Sequence, residues 1–414
     1  MSASPGAAEH YDVAIVGASV AGCTAARFYA QRGARVALIE RKPSLDAYKT
    51  TCTHFIQASA TPTIERLGLA PLLDERGAVH NGIDLWTASS GWVQTAENEH
   101  GAYGFNITRR KLDPLLRRLA AETPGVELIS GWSAVGLLGD SRPTGVQIED
   151  RTHARRQIHA KLVVGADGRD SKVARWARVP GRVKPHGRFF YWGYWRGVQP
   201  VTSRSKMWLI DPDAAYTFPN EDGLTVVLVG PHRDRLPEFQ ADLHGAYRRM
   251  LGSLPGGPDL REATLEGKLL GKLELPNVYR PAARNGVAFV GDAACAGDPL
   301  WGIGCGWAMQ SAEWLVEQTA NALNEPTASL DAALERYRKL HRKRLFGHYS
   351  MISDIASGRP LNPIERRIYR AATRDEAVRE MVIRVGSREL PPSRMFSPRM
   401  LARILRFGSA AQPA

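Results

Sequence analysis

Apolar runs and glycine breaks alternate at the start of this chain. Val13–Val16 is a continuous apolar run that breaks at Gly17, and a second run, Val36–Ile39, ends at Glu40. The small and apolar positions between them predict a helix, so the stretch reads as strand, tight turn, helix, strand: a βαβ unit. Thr61–Leu67 predicts a short helix, and Ile83–Val93 predicts strands around a hairpin turn at Ser89, Ser90 and Gly91. Asn106–Ala121 carries Leu112, Leu115, Leu116 and Leu119 at helical spacing. Val126–Ile129, Val146–Ile148 and Leu162–Val164 predict strands. From Arg188 to Gly230, aromatic and β-branched runs alternate with Pro, Asp and Gly turns, which predicts an antiparallel sheet. From Arg336 the chain turns helical and basic, with Arg338, Lys339, Arg342, Lys343 and Arg344 in close succession. No internal repeat is present.

Three stretches carry candidate chemistry. In the first, Gly17 allows a sharp turn, Ser19 keeps the backbone nearly bare, and Gly22 and Ala26 let the helix lie close on the sheet. The helix N-terminus then offers free N–H groups to a pyrophosphate. Glu40, followed by Arg41, is placed to accept ribose hydroxyls and disfavours a 2′-phosphate, so FAD or NAD is expected rather than NADP. The second stretch, KLVVGADGRDSKVAR, ends an apolar strand in a turn with Asp167 and Gly168, where a carboxylate is placed to bind hydroxyls or backbone N–H groups of a ligand. The third runs from the strand Val287–Val290 into Gly291 and Asp292. Pro299, Gly302 and Gly304 then lead into a helix whose bare N–H groups can face an anionic ring or a phosphate.

The composition is that of a globular chain: 414 residues, 43% hydrophobic, with no apolar run of membrane-spanning length. The first residues lack the marks of a signal peptide and read as a disordered lead-in. Four scattered cysteines, Cys23, Cys52, Cys295 and Cys305, suggest neither a disulfide framework nor a metal site, and they fit a reducing cytoplasm. Cys295 and Cys305 read as packing residues. A net charge of +13 reads as a basic surface, an acidic carrier protein, an anionic substrate or an anionic membrane face. Nucleic acid is not expected, because no binding module accompanies the charge. His54 reads as a hydrogen-bonding loop residue or as a group near a redox centre.

The three stretches, in this order and spacing, resemble the FAD-dependent aromatic hydroxylase superfamily, with its p-hydroxybenzoate hydroxylase-like monooxygenases, flavin-dependent halogenases and geranylgeranyl reductases. The resemblance covers roughly residues 10–330. GASVAG with Glu40 is similar to the first family motif, Asp167-Gly168 with Ser171 to the second, and Gly291-Asp292 to the third. Arg109, in R-x-x-L-D with Leu112 and Asp113, resembles the arginine near the FAD pyrophosphate. Departures exist. Ala174 stands where the second motif carries arginine, and Cys295 where hydroxylases continue with histidine. Asp298-Pro299-Leu300 and Gly302-x-Gly304 look more like the reductase and halogenase branches, the aromatic-Phe-Pro segment at Tyr216–Pro219 is similar to that of prenyl reductases, and Cys52 falls near a reductase cysteine. No W-x-W-x-I-P stretch is present, which disfavours halogenation.

The resemblance implies an α/β fold: a Rossmann-like FAD-binding domain with an inserted antiparallel β-sheet substrate domain and a helical C-terminal segment. Its parts are 8–75, 101–180 and 271–335 for FAD, 76–100 and 181–270 for substrate, and 336–414 at the C-terminus. FAD would be the cofactor, held by Gly17, Ser19, Ala21, Gly22, Glu40, Arg41, Arg109, Asp167, Gly168, Gly291, Asp292, Pro299, Gly302, Gly304 and Cys305, with NAD(P)H as electron donor. An apolar or aromatic small molecule would meet Trp192, Tyr194, Trp208, Tyr216, Phe218 and Trp301. His54 and Cys52 are the catalytic candidates. The expected activity is that of an NAD(P)H-dependent monooxygenase, a hydroxylase or epoxidase, acting on an aromatic or polyketide-like metabolite. The alternatives are a reductase of isoprenoid double bonds and a non-catalytic flavin-binding protein.

Overall fold

The computed structural model of the chain describes residues 9–94 and 103–409. The proposed lead-in before residue 9 and the end of the 76–100 segment lie outside these. The opening βαβ unit forms as the pattern predicts: β1 (Glu9–Val16), α1 (Val20–Gln31) and β2 (Val36–Glu40). Next come α2 (Arg109–Ala121), β3 (Val126–Ser130), β4 (Arg155–Gly165) and β5 (Val287–Phe289). These strands are parallel, in the spatial order β3-β2-β1-β4-β5. Every residue of β2 is buried, so its apolar run has no polar face to alternate with. The predicted helix over 106–121 begins instead at Arg109, because Asn106 closes a short strand, Gly104–Asn106, in a three-stranded sheet with Phe55–Ile56 and Val79–Asn81.

A second sheet of seven strands stands beside the first. Its order is Thr264–Lys272, Phe190–Arg196, Leu224–Gly230, Ala214–Pro219, Ser205–Leu209, Ile83–Thr87 and Gly91–Val93. All neighbours are antiparallel except Ser205–Leu209 and Ile83–Thr87, which lets a hairpin from early in the chain extend the sheet. The helices Leu236–Ala241 and Leu243–Gly252 cover its outer face through Phe239, Tyr247 and Met250. The inner face joins a core with Phe55, Leu300, Trp301, Ile303 and Trp307.

Helix α3 (Gly304–Thr319) lies against α1, and the 29-residue α4 (Thr327–Ile355) packs along α3. The C-terminal boundary expected at 336 therefore falls inside α4. Three further helices, Pro363–Arg374, Glu376–Gly386 and Pro398–Phe407, complete the inner core. Among the described residues no helix is long and apolar enough to cross a membrane.

Candidate functional site

The turn after β1 has the geometry its glycines imply. Gly17 has a φ of +107°, and a Cβ there would lie 2.6 Å from the Ala166 carbonyl oxygen. A Cβ on Gly22 would lie 1.8 Å from the Gly17 carbonyl oxygen, so α1 can sit this close only on glycine. No side chain caps the N-terminus of α1, and its first turn holds no acid, so its leading N–H groups are left for a ligand. Glu40 steadies the turn: one carboxylate oxygen accepts the Ala18 N–H at 2.9 Å and the other accepts the Lys42 N–H at 3.0 Å. Each oxygen keeps a lone pair for a ribose hydroxyl. Arg41 is exposed beside it.

Helix α2 brings a row of charge to this turn. Arg109 is buried, donates to Asp113 at 2.7 Å, and donates to the Ser19 hydroxyl at 2.7 Å. Two turns along, Arg117 donates to the Ala18 and Leu45 carbonyls, both at 2.8 Å, and to that of Ala47. Sequence reasoning missed Arg117, although the spacing 109, 113, 117 places all three on one helix face. Lys49, also missed, reaches Asp292 at 3.2 Å across 243 residues of chain. Burial alone would raise the Asp292 carboxyl; the ammonium of Lys49, then the guanidinium of Arg169, hold it below the usual carboxylate value.

His54 is buried with a φ of +59°. Its Nδ1 accepts the Arg109 backbone N–H at 2.8 Å, and its Nε2 meets the Tyr194 hydroxyl at 2.7 Å. A nitrogen that accepts an amide proton carries none itself, so the ring proton is on Nε2 and donates to Tyr194. Burial lowers the His54 pKa, which keeps it neutral. In this arrangement His54 has no lone pair free for substrate. The hydroxyl proton of this pair stays on Tyr194, whose pKa is pushed up to about 12 by burial, with the Cys52 charge adding to it.

Asp167 is held by its own turn. Its carboxylate accepts the Ser171 hydroxyl at 2.6 Å and the N–H groups of Lys172 and Val173 at 2.7 and 3.1 Å. Ser171 caps the short helix Lys172–Trp176 by accepting the Ala174 N–H at 3.0 Å, and Asp167 holds that hydroxyl and the first two N–H groups of the helix. Gly168, at a φ of +85°, completes the turn.

The third stretch forms a loop and a helix start on the opposite wall. Gly291 has a φ of +57° and donates its N–H to the Ser311 hydroxyl at 2.9 Å. Pro299 leads into Trp301 and Gly302, both at positive φ, and a Cβ on Gly302 would strike Phe55 at 2.3 Å. Asp298 below the loop is fully buried against His186 and Arg188. Gly304 is exposed, a Cβ there would meet nothing within 4 Å, and α3 has no side-chain cap. Cys305, the second residue of α3, touches Cys52 at an Sγ–Sγ distance of 4.0 Å.

Of the expected pocket residues, Trp192, Tyr216, Phe218 and Trp301 share the inner core, and Tyr194 packs against it. Trp208 does not. It points to the outer face under the helices of 236–252 and donates to the Pro255 carbonyl at 3.0 Å, because it alternates with the inward Met207 and Leu209.

Two uncapped helix ends, two glycine turns, Arg109, Lys49 and two carboxylates are thus brought together. The donor set and the bare approaches fit FAD: N–H groups and Arg109 for its pyrophosphate, Glu40 for its ribose, and the start of α3 for an electron-rich ring edge. The sequence profile of the FAD binding domain family matches residues 10–249, more than half of the chain. A digeranylgeranylglycerophospholipid reductase of Thermoplasma volcanium is 25% identical over 350 residues, spanning 81% of this chain and 84% of the relative. A tryptophan 2-halogenase of Chondromyces crocatus is 26% identical over 353 residues, 81% of this chain and 65% of the relative. Among solved structures, the flavin-dependent brominase Bmp2 superposes with a TM-score of 0.78 at 17% identity, covering 96% of this chain and 98% of the brominase.

Proposed function

From the premise that this chain belongs to the FAD binding domain family of oxidoreductases, we propose that it is an NAD(P)H-dependent monooxygenase acting on an oxygenated aromatic or polyketide-like substrate. One observation carries the choice of substrate. On the inner core, the Tyr216 hydroxyl and the indole N–H groups of Trp301 and Trp307 are buried and have no hydrogen-bond partner among the described residues. Each buried donor left unpaired costs about 1–3 kcal/mol. A ligand with carbonyl, phenol or ether oxygens supplies acceptors; a hydrocarbon chain does not.

FAD, once bound and reduced by NAD(P)H, supplies the electrons and the reaction with O₂. The chain supplies grip and enclosure. Ser19, Arg109 and the start of α1 would hold the pyrophosphate, and the start of α3 would favour negative charge on the ring edge. The inner aromatic wall excludes water and orients the substrate, and Tyr194 holds a proton at its hydroxyl. The test is purified holoenzyme with NAD(P)H and candidate substrates in air: the expected product is heavier by one oxygen. Substrate-stimulated NAD(P)H oxidation with no oxygenated product from any bound candidate overturns this.

A second reading, reduction of an isoprenoid double bond, is favoured by one feature, the Cys52–Cys305 pair, whose shared thiol proton suits delivery to carbon. The reductase relative, alike over most of its length, adds weight. An anaerobic product heavier by two hydrogens marks that reading. As partner surface we assign an anionic membrane. Ile364, Phe396, Leu401 and Leu405 are exposed, and Arg394, Arg399 and Arg406 stand among the last three, while Arg403 pairs with Asp375 at 2.6 Å.

A further inference from the structure

Cys52 and Cys305 are 253 residues apart in sequence and in van der Waals contact in space, with their sulfurs 4.0 Å apart. All four cysteines of the chain are free and described, and the other two, Cys23 and Cys295, are sealed in the core at 1% and 2% exposure. Cys52 is different. It is only half-buried, and it stands on irregular backbone between β2 and Phe55. Groups that favour a thiolate surround the pair. The His54 backbone N–H points at the Cys52 sulfur at 3.3 Å, the Arg109 guanidinium lies 4.0 Å from the Cys305 sulfur, and Cys305 sits in the first turn of α3. The Cys305 thiol donating to it, with the Arg109 charge adding, holds Cys52 well below the usual thiol pKa against the cost of burial, and Cys305 is raised in turn.

We propose that Cys52 and Cys305 are a peroxide-reactive pair that closes to a reversible disulfide at the mouth of the cofactor cleft. The Cys52 thiolate attacks one oxygen of a hydroperoxide. The O–O bond breaks, the leaving oxygen takes a proton, and Cys52 becomes a sulfenic acid. The Cys305 thiol then attacks that sulfur; the S–S bond forms, the S–O bond breaks, and water leaves. With hydrogen peroxide the sum is two thiols and one peroxide giving one disulfide and two waters. The two sulfurs are oxidised and the two peroxide oxygens reduced. A disulfide needs its sulfurs about 2.05 Å apart. Cys52 can cover the difference because it rides on loop backbone, while α3 stays packed on α1. Closure pins this loop to the start of α3 and removes a negative charge from beside Arg109. Disulfide formation depends on neither the substrate nor the reaction assigned above.

The test treats FAD-loaded protein with equimolar hydrogen peroxide, blocks remaining thiols with N-ethylmaleimide, and digests without reductant. Mass spectrometry should find one cross-linked pair of peptides, containing Cys52 and Cys305 and lighter by two hydrogens, while Cys23 and Cys295 carry no oxidation. Dithiothreitol should restore both thiols. In Cys305→Ser the same peroxide should leave Cys52 as a sulfenic acid that dimedone traps. Cys52 driven to sulfinic acid in the wild type with Cys305 still a free thiol overturns the proposal, as does recovery of both thiols unmodified. The wild-type map stands alone should the variant fail to fold.

Discussion

Gly304→Ala separates a helix start that faces a ligand from one that is merely exposed. Gly304 is the first residue of α3 and is not in the left-handed region, so alanine fits its backbone. An added Cβ meets no protein atom within 4 Å. The change therefore removes unfolded-state freedom at no steric cost to the fold, which stabilises the apo protein by about 0.4–1 kcal/mol. In a chain of this length that is a melting-point rise of about 2 °C or less. The same methyl stands where a flat ring must approach bare N–H groups. Backing the ring off by even 0.5–1 Å forfeits roughly a quarter to a half of each contact at that edge. The expected result is a weakening of FAD binding by about tenfold or more, or ~1.4 kcal/mol.

The assay pairs thermal melts of apo protein with flavin fluorescence titration of both forms. Gly22→Ala is the contrast: its Cβ would lie 1.8 Å from the Gly17 carbonyl oxygen. That overlap displaces α1 and costs ~3 kcal/mol or more in the apo protein itself. An equal or higher apo melting point with weaker FAD binding in Gly304→Ala supports the assignment. Wild-type FAD affinity in that variant refutes it, because nothing would then occupy the space in front of α3.

Arg109→Met should abolish flavin retention and destabilise the fold by about 3–5 kcal/mol, since it strands the buried Asp113 carboxylate; urea titration with and without FAD reads both, and full flavin occupancy would contradict the role given to Arg109. Tyr194→Phe should lower turnover while leaving FAD affinity unchanged, and unaltered turnover would remove Tyr194 from the chemistry. His341 and His348 are held by burial at pKa values of about 4. Their folded values lie below the unfolded one, so the unfolded chain binds the extra protons and stability falls as pH drops from about 6.5 towards 4, by up to ~3 kcal/mol for each. Urea midpoints at pH 7.5 and 5 check this, and His341→Phe should flatten the slope. Vesicles rich in phosphatidylglycerol should sediment the protein and phosphatidylcholine vesicles should not, with Leu405→Asp releasing it.

The βαβ turn was legible because its constraints are local. Gly17 and Gly22 are required by atoms a few residues away in the chain and by one neighbouring strand, so their spacing carries the geometry. The hydrogen bonds of Asp167 are equally local, since its donors are four to six residues on. Trp208 was not legible. Its sheet is covered on both faces, by helices outside and by the cleft wall inside, so apolar residues occupy both phases of the strand and the alternation that marks a core face is lost. The contacts of Lys49 with Asp292 and of Cys52 with Cys305 span more than 240 residues each. Nothing in the local pattern marks a pair that only the closed fold brings together.

Hydrogen-bond direction decides what His54 can do, and it does so independently of any pKa. The Arg109 N–H is the first amide of α2 and has no acceptor within its helix, so it must be satisfied from outside. His54 Nδ1 satisfies it. Were that nitrogen to take a proton, two donors would face each other at 2.8 Å in a buried site, and the end of α2 would lose its cap. Protonation of His54 would thus loosen the same helix start that carries the Arg109 guanidinium to Ser19. The histidine is thereby fixed as a donor to Tyr194 at any pH where α2 holds the cofactor turn.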